Sequence, residues 1–127
     1  MKRVNINSGS TWEDLVGYSR AVKVNNVIEV AGTTATKDGE IVGKGDPYQQ
    51  TEFILSKIAE TLRELGSDLS DVVRTRMYVV NISQWEEIGK AHQKFFKNIK
   101  PAATMVEVKS LIDPDLLVEI EVTAITG

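Results

Sequence analysis

The chain has no cysteine. Disulfides and thiolate catalysis are thereby excluded. It has one histidine, His92, too few for a zinc site of the usual His/Cys kind. No metal and no organic cofactor is indicated. No apolar run approaches the roughly 20 residues of a membrane-spanning helix. The first residues, MKRVNINSGSTWED, carry no apolar segment of the secretory type. A soluble, cytoplasmic protein without a membrane partner is expected. Asn81-Ile82-Ser83 spells a glycosylation acceptor, which without a secretory route is a chance match. An excess of basic charge is missing as well. Fifteen Lys and Arg stand against 18 Asp and Glu, for a formal net charge of −3. That balance offers no general attraction to nucleic acid. No P-loop, dinucleotide fingerprint or nucleophile elbow is present.

What is present suits one folded domain over residues 1–127. Of these residues 42% are hydrophobic and 26% charged, which argues against disorder. In the last segment Val118, Ile120 and Val122 alternate with Glu119, Glu121 and Thr123. Period two marks a half-buried strand. A second strand is expected around 104–109, separated from it by the turn Asp113-Pro114-Asp115. Asn25-Asn26 suits a hairpin turn between strands at 20–24 and 27–32. Residues 3–7 suit a short strand, 8–17 read as polar loop and 33–45 as loop with a brief strand. Asp46-Pro47 opens a helix whose stripe is Ile54, Leu55, Ile58, Leu62 and Leu65, with Gly66 beyond its end. Residues 72–80 form another strand. A second helix over 83–98 is capped by Ser83, with Trp85, Ile88, His92, Phe95 and Phe96 as its core stripe. The order is β-β-α-β-α-β-β, an α+β fold. Strand 72–80, helix 83–98 and strand 104–109 make a right-handed crossover with a parallel strand pair.

Two helices cover one face of such a four-stranded sheet and leave the other bare. The alternation assigns Glu29, Arg74, Arg76, Glu107, Glu119 and Glu121 to the bare face, mixed with Ala31, Met105, Tyr78 and Thr123. Either this is an ordinary solvated face, or it is a subunit interface with a polar cleft in it. Arg74 or Arg76 would pair with Glu107 or Glu119. His92 on an apolar stripe suits a packed, hydrogen-bonded histidine. Tyr18 suits a partly buried residue at a strand entry. Gly32, with Thr33 and Thr34 after it, offers close backbone approach and amides for an anion.

Taken in order, these pieces resemble the RidA/YjgF family over nearly the whole chain. The resemblance is carried by Tyr18-Ser19-Arg20-Ala21-Val22, Ala31-Gly32-Thr33 and Gln50-Thr51. It continues through Val72-Val73-Arg74-Thr75 with Tyr78-Val79, Phe95-Phe96 and Pro101-Ala102. Val106-Glu107-Val108, Leu111 and Val118-Glu119-Ile120-Glu121 complete it. It implies a chorismate-mutase-like fold assembled as a homotrimer, with small-molecule clefts between subunits. It also implies hydrolysis of reactive enamines and imines to 2-oxo acids and ammonia. Glu119 falls where the family's glutamate positions the attacking water. Tyr18, Gly32 and Thr33, with Thr104, fall on the ligand cleft.

The family's carboxylate-binding arginine falls on Ala103. Alanine cannot make that charge-assisted, bidentate contact, so the archetypal 2-iminoacid substrate is not expected. Other departures are one extra residue between Leu111 and Leu117, and Gly89 where the archetype often has Asn. Arg20 or Arg76 could supply a positive charge instead, with Glu107 as a further charge partner. Alternatively, Arg76 forms a structural ion pair. A carboxylate-bearing small molecule is the expected ligand. A non-catalytic binding trimer is the alternative. The endoribonuclease and translation-inhibitor roles attached to some relatives suit this acidic chain least.

Overall fold

The computed structural model describes all 127 residues. In chain order the elements are β1 (Arg3–Ile6), α1 (Thr11–Val16), β2 (Ala21–Val24), β3 (Val27–Thr33), β4 (Thr36–Lys37) and β5 (Glu40–Ile41). They continue as α2 (Pro47–Glu64), β6 (Val72–Val79), α3 (Trp85–Phe96), β7 (Ala102–Glu107) and β8 (Val118–Ile125). Six strands form a mixed sheet in the order β1-β2-β3-β8-β6-β7, and β4 pairs with β5 in a small separate ribbon. The sheet has six strands where four were expected; the short first strand, β1, joins it by pairing with β2 in antiparallel register. The crossover through α3 makes β6 and β7 parallel, as its length requires. No helix is long and apolar enough to cross a membrane.

Helices α2 and α3 pack together over one face of the sheet. Asp46 caps α2 by accepting from the Gln49 amide at 3.0 Å, and Pro47 occupies the first turn. The α2 residues Ile54, Leu55, Ile58 and Leu62 are buried in one core with Ile28, Val30, Val79, Ile120 and Val122 of the sheet. Each such side chain contributes roughly 1.5–3 kcal/mol on leaving water.

Several local expectations are corrected. Residues 11–16 are helical, not loop: Ser10 caps α1 by accepting from the Trp12 amide, and Gly17 ends it at φ 90°. Ser83 does not cap α3. Asn81 accepts from both the amide and the hydroxyl of Ser83, starting a 3-10 turn over Ile82–Gln84 that leads into α3. Trp85, expected in the core, is 56% exposed at the first residue of α3.

The phase of β7 is the correction that matters most. Met105 pairs in parallel with Met77 and packs on the core. So Ala103, Met105 and Glu107 point toward the helical layer, and Ala102, Thr104 and Val106 point to the open face. The expectation had Met105 and Glu107 reversed. Each alternating set of this strand mixes apolar and polar residues, so its pattern fixes no phase, and the register with β6 decides.

Candidate functional site

The site is built where β3 meets β8. These strands pair regularly from Val27 to Val30, then slip, so that Thr33 lies opposite Ile120. The bulge places Ala31 and Gly32 in the stretch facing Glu121. Thr33 turns inward, fully buried, and its hydroxyl donates to the Ala31 carbonyl at 2.8 Å. Thr33, expected on the ligand cleft, thus closes the bulge from the core side with its side chain.

Glu119 leans across Gly32. A Cβ at position 32 would lie 2.1 Å from Glu119 Oε2 and 2.9 Å from its carboxyl carbon. Glycine is needed here for space. Burial pushes the Glu119 carboxyl above its ordinary range; Arg20 pulls it down and Glu121 pushes it up.

Arg20 comes to the same bulge from the start of β2. Its Nη2 donates to the Gly32 carbonyl, and its guanidinium lies 5.9 Å from the Tyr18 ring centroid. Arg20 is only 8% exposed, and its buried Nε has no partner. Beyond it stand two groups that the pattern did not single out. Glu13 of α1 is buried and accepts from the Ser8 amide and hydroxyl. Lys57 of α2 donates to the Thr36 carbonyl at 3.0 Å. Burial holds the Lys57 amine below its ordinary range, Arg20 lowers it further, and Glu13 opposes both. The sequence did carry a signal for Glu13: Ser10-x-x-Glu13 is a capping-box spacing.

Further along the open face, Tyr78 donates to Glu121 at 2.8 Å, and Arg76 lies 3.9 Å from the same carboxylate. That hydrogen bond, then burial and the Glu121 charge, raise the Tyr78 hydroxyl pKa. Arg76 therefore pairs with Glu121, its register partner, and not with Glu119. Arg74 donates to Thr104 Oγ1 at 2.6 Å, not to a carboxylate. Glu107 accepts from the Ile82 amide at 3.0 Å on the helical side, so it is not a charge partner of either arginine. A groove of about 850 Å³ crosses the open face, with Asn5, Tyr18, Ala31, Arg76 and Glu121 among its walls.

One chain thus brings together Tyr18, Arg20, Gly32 and Glu119. It does not bring Ala103 or Thr104 to them. β6 lies between β7 and β8, which sets β7 roughly 10 Å away at ordinary strand spacing, and Ala103 faces the opposite side of the sheet. On that side His92 Nε2 lies 3.0 Å from Thr75 Oγ1, and its ring stacks on Phe96 at 4.6 Å. Burial lowers its pKa, as suits a packed neutral histidine. No three His, Asp or Glu side chains are grouped to hold a metal ion.

Comparison with known proteins agrees with this architecture. An uncharacterized protein of Streptomyces coelicolor is 37% identical over 122 residues, covering 96% of this chain and 91% of that one. A RutC family protein of Pyrococcus abyssi is 38% identical over 109 residues, covering 84% of each. The crystal structure of a Mycobacterium tuberculosis member of the YjgF/YER057c/UK114 family superposes with a TM-score of 0.90. It is 46% identical, over 98% of this chain and all of that one (100%). The family model described as Endoribonuclease L-PSP matches residues 10–126, and the chain belongs to that family, the one that also contains the YjgF and RutC proteins.

Proposed function

We propose that this chain works as a homotrimer with small-molecule clefts between subunits, hydrolysing a reactive enamine or imine in the cytoplasm. The observation that carries the proposal is the half-buried Glu119 carboxyl, held against Gly32 with a buried guanidinium behind it. A carboxyl whose pKa is raised by burial is a better proton acceptor than a solvated one. In the proposed reaction an enamine first takes a proton on carbon to become the iminium ion, the protonated imine. Water then adds to the imine carbon while Glu119 accepts its proton. Glu119 returns that proton to the carbinolamine nitrogen, the C–N bond breaks as the hydroxyl gives up its proton to water, and ammonia leaves a carbonyl product.

The trimer is supported by what one chain leaves incomplete. The open face has no covering layer, and half-buried Val22 and Val24 and exposed Val27, Val106 and Ile125 lie among its charged residues. Ala103 and Thr104 sit on the edge strand β7, so they would reach a Glu119 cleft only from a sister copy. With Ala103 in place of a guanidinium, the archetypal 2-iminoacid is not the proposed substrate. That same alanine favours one alternative, a trimer that binds a small carboxylate without turning it over. An endoribonuclease has less behind it: the only histidine is packed against Thr75 and Phe96, and the open face carries several carboxylates.

The test is ammonia release from imines generated in place by an amino-acid oxidase. Acceleration above the buffer rate, abolished in Glu119→Gln, is expected. No acceleration across several amino-acid-derived imines would sink the catalytic reading. Thermal stabilisation by a carboxylate ligand in that case, growing with its concentration, would favour the binding one.

A further inference from the structure

Arg20 is unusual as a buried arginine. It takes part in none of the chain's three close ion pairs. Its one side-chain hydrogen bond goes to a backbone carbonyl, that of Gly32. Its Nε is sealed from solvent with nothing to donate to. A buried charge without a paired, hydrogen-bonded counterion is costly to keep. Unsatisfied buried donors are rare enough in native proteins that each calls for a reason.

The reason lies in the other contact that Gly32 makes. The Glu119 carboxyl rests against the Cα of the same residue whose carbonyl Arg20 holds. Gly32 is therefore clasped from two sides, by a guanidinium and by a carboxyl, at the point where the β3–β8 register slips. A bulge re-aims a side chain and is the least constrained part of a ladder. Here one cation fixes the position of the platform and also sets its field. With no close carboxylate partner to neutralise it, its charge remains directed at the nearest ionisable group on the platform.

We propose that Arg20 is the positioning residue for Glu119: it locks the Gly32 bulge beneath the carboxyl and sets its positive charge behind it. The proposal deepens the hydrolytic reading above, since it says which group keeps the base in its working form. Every charged group near the pair has a part. Glu121, on the same strand as Glu119, opposes its ionisation, and Arg20 favours it. Tyr78 lies directly across from Glu119 on β6, with its hydroxyl committed to Glu121. Arg76 is spent on Glu121. Lys57 of α2 and Glu13 of α1 act on the far side of Arg20, with opposite signs. Among these cations Arg20 alone touches the platform.

The experiment reads the Glu119 carboxyl by carbon NMR in glutamate-labelled protein, the resonance being assigned by its loss in Glu119→Gln. In Arg20→Gln the Glu119 titration should move to higher pH. In Arg20→Lys, which keeps the charge, it should stay close to the unaltered protein even if the melting temperature falls. An unmoved midpoint in a folded Arg20→Gln protein would overturn the proposal. A second measurement needs no variant at all. The Arg20 Nε–H is shielded from solvent, so its resonance should be visible and should titrate with the Glu119 midpoint. A flat Nε–H signal across that midpoint overturns the proposal too, and it decides the matter if Arg20→Gln does not fold. Neither measurement involves a substrate. Absence of ammonia release would remove the hydrolytic function and leave this pair standing, and a flat titration would do the reverse.

Discussion

Gly32 is the residue where space and chemistry meet most closely, and it separates stability from function. In Gly32→Ala the new Cβ collides with the end of a flexible side chain rather than with backbone. The carboxyl of Glu119 can swing away at little cost to the fold. A stability loss below about 1 kcal/mol is expected, in the range of a modest strain rather than a core cavity. Hydrolysis, and ligand binding at the cleft, should nevertheless fall sharply, because the base no longer sits where Arg20 can hold it. Denaturant unfolding and the ammonia assay on one preparation would show the split. A variant that loses several kcal/mol, or keeps full activity, contradicts it.

His92 gives a second prediction at this scale, of opposite character. Its pKa is lowered by burial, so the unfolded chain binds a proton more readily than the folded one. Stability then falls as pH drops below the ordinary imidazole value of 6.5 toward the folded pKa, and is regained as pH rises through that window. The chain has no other histidine, and comparison with a His92 variant separates this effect from that of the raised Glu119 carboxyl. In His92→Gln the melting temperature should lose this part of its pH dependence below pH 6.5. An unchanged pH profile would mean that His92 titrates alike in both states.

Among the elements, α2 is tied to the chain before β8 by one buried side chain. Gln50 Nε2 donates to the carbonyls of Gly43 and Asp115 at 3.2 and 2.9 Å, and its Oε1 accepts from the Leu117 amide at 2.9 Å. Three backbone groups from two loops are satisfied by one amide. Gln50→Leu keeps the volume and orphans all three, so a loss of about 3 kcal/mol or more is expected in denaturant unfolding. A loss under 1 kcal/mol would mean that water reaches these groups. Gln50 belongs to the family resemblance, yet its sequence position on a helix gives no hint of this role. The same limit runs through the other elements. β8 was legible because its two faces differ cleanly in polarity, and α2 because cap, stripe and Gly66 agree. Helix α1 was missed, although Ser10 and Gly17 bracket it, because six residues cannot show an apolar stripe. β7 was legible as a strand but not in phase, since Thr104 with Val106 and Met105 with Glu107 are equally mixed. Glu119, Gly32 and Tyr18 could be placed from the resemblance. That Arg20 lies under Gly32, and that Arg76 takes Glu121, depends on a bulge and a register that side-chain alternation does not encode.

For the whole molecule, the bare sheet face makes the sharpest demand. A face carrying Val22, Val24, Val27, Val106 and Ile125 beside Glu29, Arg74, Arg76 and Glu121 is more apolar than solubility requires and more charged than a core. Assembly into a trimer would bury it, with on the order of 800 Å² per partner needed for a stable contact. Light scattering should therefore return three times the 14.1 kDa chain mass at micromolar concentration. Val22 lies opposite Glu29 across β2 and β3, so Val22→Glu sets two carboxylates side by side on that face. In a lone subunit both would meet water and repel only weakly. In a closed trimer they would be desolvated together, which is costly without a cation between them. The variant should keep its far-ultraviolet circular dichroism, scatter as a 14.1 kDa particle and lose any turnover. Loss of mass and turnover together would tie the cleft to the seam between copies. A Val22→Glu protein that stays trimeric and active would move the interface off this face, and a monomeric unaltered protein would leave Ala103 and Thr104 with no route to Glu119.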